Sequence, residues 1–155
     1  MAALASTIYN TGSAAPARRM RITGETLSRA FTTAVMLTAN AEQAGAAILE
    51  GIGMTDPSLA SDEELFLAAV RAAVEHKRCD AGPGQRQRAS SMLPQGLRAV
   101  PGLPLRLRHC FVLRILAGLP AAVCAQWMHL TTSEVERAAG RAAKLLAGIS
   151  ACAAR

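Results

Sequence analysis

LPLRLRHCFVLRILAGLPAAVCAQWMHLTTSEVERAAGRAAKLL, residues 103–146, reads as three helices in close succession. Pro104 suits a first helical turn, where its missing N–H removes no bond. Arg106, Phe111, Val112, Ile115 and Leu116 follow at helical spacing, and Gly118 stands where a helix takes a left-handed terminator. A short apolar helix from about Ala121 to Met128 comes next, and a tight turn at His129-Leu130 leads to Thr131-Thr132-Ser133-Glu134. That run is a capping box, in which Thr131 accepts from the third helical N–H while Glu134 reaches back to the cap.

The last helix is two-faced. Val135, Ala138, Ala139, Ala142, Leu145 and Ile149 recur at three- and four-residue steps and are expected to face a core. Thr132, Ser133, Glu136, Arg137, Gly140, Arg141 and Lys144 fall on the other side. Two helices joined by a short turn and braced by a third are the makings of a helix-turn-helix, whose second helix needs such an exposed face to enter a major groove. The same pattern also describes a plain hairpin in a helical bundle.

Charge separates these readings in part. The net +6 is uneven: residues 1–80 carry seven Lys/Arg against nine Asp/Glu, and residues 81–155 carry ten against two. A polyanion would therefore meet the C-terminal half. The alternative is that these arginines solubilise an alanine-rich surface.

Upstream, Met1 to about Ile22 reads as a frayed tail, with Arg18, Arg19 and Arg21 as solvated cations. Leu27, Ala30, Phe31, Ala34, Val35 and Thr38 form the stripe of a first helix. Asn40 caps a second, with Ala44, Ala47, Ile48 and Ile52 as its stripe. Ser61 and Glu64 form a capping box for a third, whose stripe is Leu65, Phe66, Ala69, Val70, Ala73 and Val74. His76, Lys77 and Arg78 close it with cations at the C-terminal end. Cys79 to Pro101 is rich in Gly, Pro, Ser and Gln without an apolar period, and reads as a linker. The expectation is all-α: a tail over 1–22, a helical module over 23–78, a linker over 79–101 and a helix-turn-helix module over 102–150.

The C-terminal stretch resembles the fourth region of bacterial RNA polymerase sigma factors of the extracytoplasmic-function type. The resemblance rests on Leu103-Pro104, Arg106, Arg108, Phe111, Leu113-Arg114, Leu116, Gly118-Leu119, Ala125, Leu130-Thr131, Val135, Arg141-Ala142 and Leu146, in register without a gap. Pro120-Ala121-Ala122-Val123 departs from the usual opening of the second helix. Glu136 and Ala138 stand where the family carries basic residues. The N-terminal half is similar to the family's second region through Leu37-Thr38-Ala39-Asn40-Ala41-Glu42-Gln43-Ala44, Ile48-Leu49-Glu50 and the helix around Leu65-Phe66.

The resemblance implies duplex DNA contacts from Thr132, Ser133, Glu136, Arg137, Arg141 and Lys144, with Arg106, Arg108 and Arg114 as candidate phosphate ligands. It implies docking on RNA polymerase core through Asn40, Gln43, Ala47, Ile48, Leu49 and Glu50, and an anti-sigma factor as a further partner. Strand opening needs stacking surfaces and positive charge. The loop Gly53 to Ala60 has neither, which sets it apart from the family's melting loop and leaves open whether promoter melting is retained. Two other readings stay open: a degenerate sigma-like regulator that binds polymerase or an anti-sigma partner without melting promoters, and a helical interaction protein with no nucleic-acid role.

Chemistry has little foothold in the residues. There is no glycine-rich phosphate loop, nucleophile elbow or converging acid pair. Neither His76 with Cys79 nor His109 with Cys110 has partners at zinc spacing, and no cofactor or metal is expected. No run approaches a membrane span and no secretory leader is apparent, so a cytoplasmic protein with reduced thiols is expected. Trp127, the only tryptophan, is expected to pack in the core.

Overall fold

The computed structural model describes residues 23–56, 60–76 and 81–153. The expected tail, with Arg18, Arg19 and Arg21, lies outside the described residues, as do Lys77, Arg78 and Cys79. Among the described residues there are seven α-helices, one π-helical segment, two short 3₁₀ turns and no strand.

Helix α1 (Gly24–Thr38) starts at Thr23, whose hydroxyl accepts from the Thr26 N–H, and ends at Ala39 in the left-handed region. Helix α2 (Ala41–Gly53) is capped by Asn40, whose Oδ1 accepts from the N–H groups of Glu42 at 2.9 Å and Gln43 at 3.4 Å. Helix α3 (Asp62–Glu75) opens on the Ser61–Glu64 capping box. The three pack together through Ala34, Val35, Ala44, Ala47, Phe66, Ala69 and Val70, all nearly inaccessible to solvent. The Asp62 carboxylate fastens the N-terminal ends of α1 and α3, accepting at 2.8 Å from the hydroxyls of both Thr23 and Thr26. Those bonds favour its charged form and hold its pKa below the usual value.

The expected linker is a folded layer. Its described part, from residue 81, forms helix α4 (Pro83–Ser91) and two 3₁₀ turns (Gln95–Leu97 and Val100–Gly102). Ala81, Ala89, Leu93, Val100, Pro101 and Leu103 are buried. Arg86 and Arg98 donate through Nε to the Ala81 and Leu93 carbonyls at 2.8 and 3.2 Å. These apolar residues are too few and too widely spaced to give a period in the sequence. Their burial depends on α1 and α2, which they pack against.

Helix α5 (Leu105–Phe111) continues as a π-helical segment (Val112–Leu116) and stops at Gly118, whose φ of 70° is left-handed as expected. The wider π turn carries Ile115 and Leu116 to the surface rather than into the stripe the spacing predicts. Helix α6 (Ala121–Met128) ends at His129, also left-handed, and α7 (Thr132–Ala153) follows. Buried residues from α1 to α7 form one continuous core, so the two expected modules share an interior. No described helix is long and apolar enough to cross a membrane.

Val100 lies fully buried in that shared interior. Val100→Ala is expected to lower unfolding stability by about 2 kcal/mol, in a single urea transition followed by circular dichroism and by Trp127 fluorescence. A flexible tether would leave both probes unmoved, or split them into two transitions.

Candidate nucleic-acid interface

The helix pair α6–α7 is set by its turn. The backbone N–H of Leu130 reaches the Ala125 carbonyl at 2.9 Å across the left-handed His129. The capping box is formed: Thr131 N–H donates to Glu134 at 2.9 Å, and Glu134 N–H donates to the Thr131 hydroxyl at 3.2 Å. These bonds, with Arg106 beside it, hold the Glu134 carboxyl below its ordinary pKa.

Helix α7 divides as its period predicts over its first three turns. Val135, Ala138, Ala139 and Ala142 are buried against α5 and α6, while Thr132, Ser133, Glu136, Arg137, Gly140, Arg141 and Lys144 are exposed. Farther along, the expectation fails. Leu145 and Ile149 are 43% and 51% exposed, because α7 runs on beyond the core that would cover them.

The acidic residues of the C-terminal half are both held by arginines of the preceding helix and its π extension. Arg106 pairs with Glu134 at 2.9 Å and Arg114 pairs with Glu136 at 2.8 Å. Arg137 donates weakly to the Ser133 carbonyl at 3.4 Å. Arg141 and Lys144 make no ion pair with any described residue. The outer face of α7 therefore presents cations along two turns, with its neighbouring carboxylates neutralised in pairs. Charge left unpaired on an exposed helix is available to a polyanion.

Three arginines ahead of the turn were expected to reach phosphate. Arg108 is corrected: it is 6% exposed, and its Nη1 donates to the Pro101 carbonyl at 3.0 Å. Its place on the inner face follows from the packing of α5, which the arginine pattern conceals. Arg106 and Arg114 reach the surface, but their guanidinium groups brace α7.

On α2, the expected polymerase contacts divide sharply. Asn40, Ala47 and Ile48 are buried, Asn40 as the cap and the other two in the core. Gln43 is half-buried, whereas Leu49 is 75% exposed and Glu50 exposed, with the His76 ring 3.5 Å from its carboxylate. Glu42, Ala46 and Met54 share the open surface with Leu49, the first two at helical spacing from it.

Cys110 and Cys124 are buried free thiols. Burial pushes both pKa values up, Cys124 to about 11, so they pack as protonated, small apolar groups. Among the described residues no cluster of three or more His, Cys, Asp or Glu side chains could hold a metal. Comparison with family models, with curated proteins and with solved structures finds no match for this chain.

Two outcomes follow from the turn. The Glu134 contribution to the α7 cap is complete above the ordinary carboxylate pKa and is lost as pH falls through the lower folded value. Acidification below about pH 4 should therefore raise amide exchange at the start of α7, and Glu134→Gln should abolish that pH dependence. His129→Gly is expected to raise stability by up to about 1 kcal/mol, since an exposed left-handed residue loses its Cβ clash; thermal denaturation reads it.

Proposed function

We propose that this chain is a sigma-like transcription factor whose α6–turn–α7 unit binds duplex DNA and whose α2 surface docks on RNA polymerase core. The carrying observation is the open cationic face of α7, where Arg137, Arg141 and Lys144 stand at helical spacing after the α6–α7 turn. Thr132 and Ser133 open that helix on the same face and offer hydroxyls to phosphate or base edges. Support for polymerase docking is the outward stripe of Glu42, Ala46 and Leu49 on α2, with the Leu49 side chain exposed at its C-terminal end.

A second reading is favoured by one observation, the shared core. Two modules that read separate promoter elements must space themselves along the duplex, and here the 81–103 segment packs between them. The chain in this arrangement would engage polymerase or an anti-sigma partner, with DNA touched by α7 alone and no promoter melted. A helical interaction protein without DNA binding is the remaining alternative.

Anisotropy titration with random duplex at two salt concentrations is the test. Arg141→Ala and Lys144→Ala should each weaken binding on all sequences and make the salt slope shallower by about one. No binding at low salt, or slopes unaltered in both variants, would sink the DNA reading. Capture of core polymerase that Leu49→Glu abolishes supports docking; transcription from a defined start then separates a full factor from the non-melting regulator.

A further inference from the structure

A cleft of ≈ 370 Å³ opens where α2, α3 and α6 meet. Trp127 lines it from α6, Met54 from the end of α2, and Leu67 from α3. Three charged side chains, Glu50, Arg71 and Glu75, each more than half exposed, line it as well, with the Thr55 hydroxyl as a further polar group. None of these residues serves the DNA-facing surface of α7.

The chemistry of this lining selects a ligand class. Its volume falls at the small end of the range that holds compact organic molecules. An indole and a thioether supply polarisable apolar surface, and an indole face attracts cations. Arg71 and Glu75 pair at 2.8 Å and cancel, leaving Glu50 as the excess charge, with the His76 ring 3.5 Å away. We propose that this cleft binds a small organic cation with a flat apolar body, seated against Trp127 with its charged group among Glu50 and Glu75. The inference stands apart from the DNA-binding reading.

Because Trp127 is the only tryptophan, its emission reports occupancy directly. Phenethylammonium is the probe, with phenethyl alcohol and phenylpropionate as its neutral and anionic counterparts. The cation should give a saturable change in emission, with Kd on the order of 1 mM, and should shift the Trp127 indole N–H resonance. Glu50→Gln should weaken it about fivefold. Glu75→Gln should weaken it further, since Arg71 is then left unopposed, and Arg71→Gln should tighten it.

These residues lie on the exposed rim, so the variants keep the fold; unchanged circular dichroism checks this. The proposal is overturned if neither emission nor resonance saturates, if the alcohol or carboxylate binds as well as the cation, or if Arg71→Gln weakens cation binding.

Discussion

Six consecutive residues of the chain, Arg108 to Leu113, are buried, and the rest of the molecule is arranged around them. Burial unbroken over more than one helical turn means that the chain is covered on every side where α5 passes into the π-helical segment. Two of the six are polar, and each needs a partner in the interior. The Arg108 guanidinium donates to the Pro101 carbonyl in the preceding segment. His109 Nε2 lies 3.0 Å from the Leu37 carbonyl in α1. A carbonyl can only accept, so Nε2 carries the proton. These two bonds fix the rotation of α5, one against the 81–103 layer and one against the first helix. Losing either partner would leave a buried polar group short of a bond, which costs more than the bond itself contributes.

The material of the core explains why this arrangement must be tight. Half of the chain is hydrophobic but only 3% is aromatic, and much of the interior is alanine. Alanine offers little area to bury, so stability has to come from close backbone approach rather than from large side chains. Gly51 marks the closest crossing. A Cβ placed there would meet the Ala68 carbonyl carbon and the Ala69 Cα at 2.7 Å. Such thin layers cannot each enclose a core of their own. Sharing one interior between the N-terminal helices, the 81–103 segment and the C-terminal helices is the economical solution, and it makes a tether impossible in the described part of that segment.

The same central helix sets the charge on the surface. Arg106 and Arg114, from α5 and its π extension, reach across to Glu134 and Glu136 near the start of α7. Exposed ion pairs of this kind add little stability. Their consequence here is electrostatic: each carboxylate near the turn has a cation beside it, and the remaining cations on the outer face stand without internal opposition. Glu136, which departs from the family resemblance as a reversed charge, is thereby neutralised by an arginine that belongs to the resembling pattern. The π segment that delivers Arg114 also lifts Ile115 and Leu116 out of the core.

Local features were legible in the sequence because they depend on residues a few positions apart. The caps at Asn40, Ser61 and Thr131, the left-handed stop at Gly118 and the inward stripe of α7 through Ala142 are each decided by side chains reaching their own backbone or by the helical period. Open placement of Arg137, Arg141 and Lys144 follows from that same period. What lay beyond the sequence depends on contacts distant in the chain. Arg108 reads as one more cation until α5 is known to be enclosed. Leu93 and Val100 read as stray apolar residues until α1 and α2 offer them a surface. Leu145 and Ile149 continue a stripe whose period says nothing about where the core ends. Periodicity assigns a residue to a side of its helix, and only the packing of other helices determines whether that side is covered.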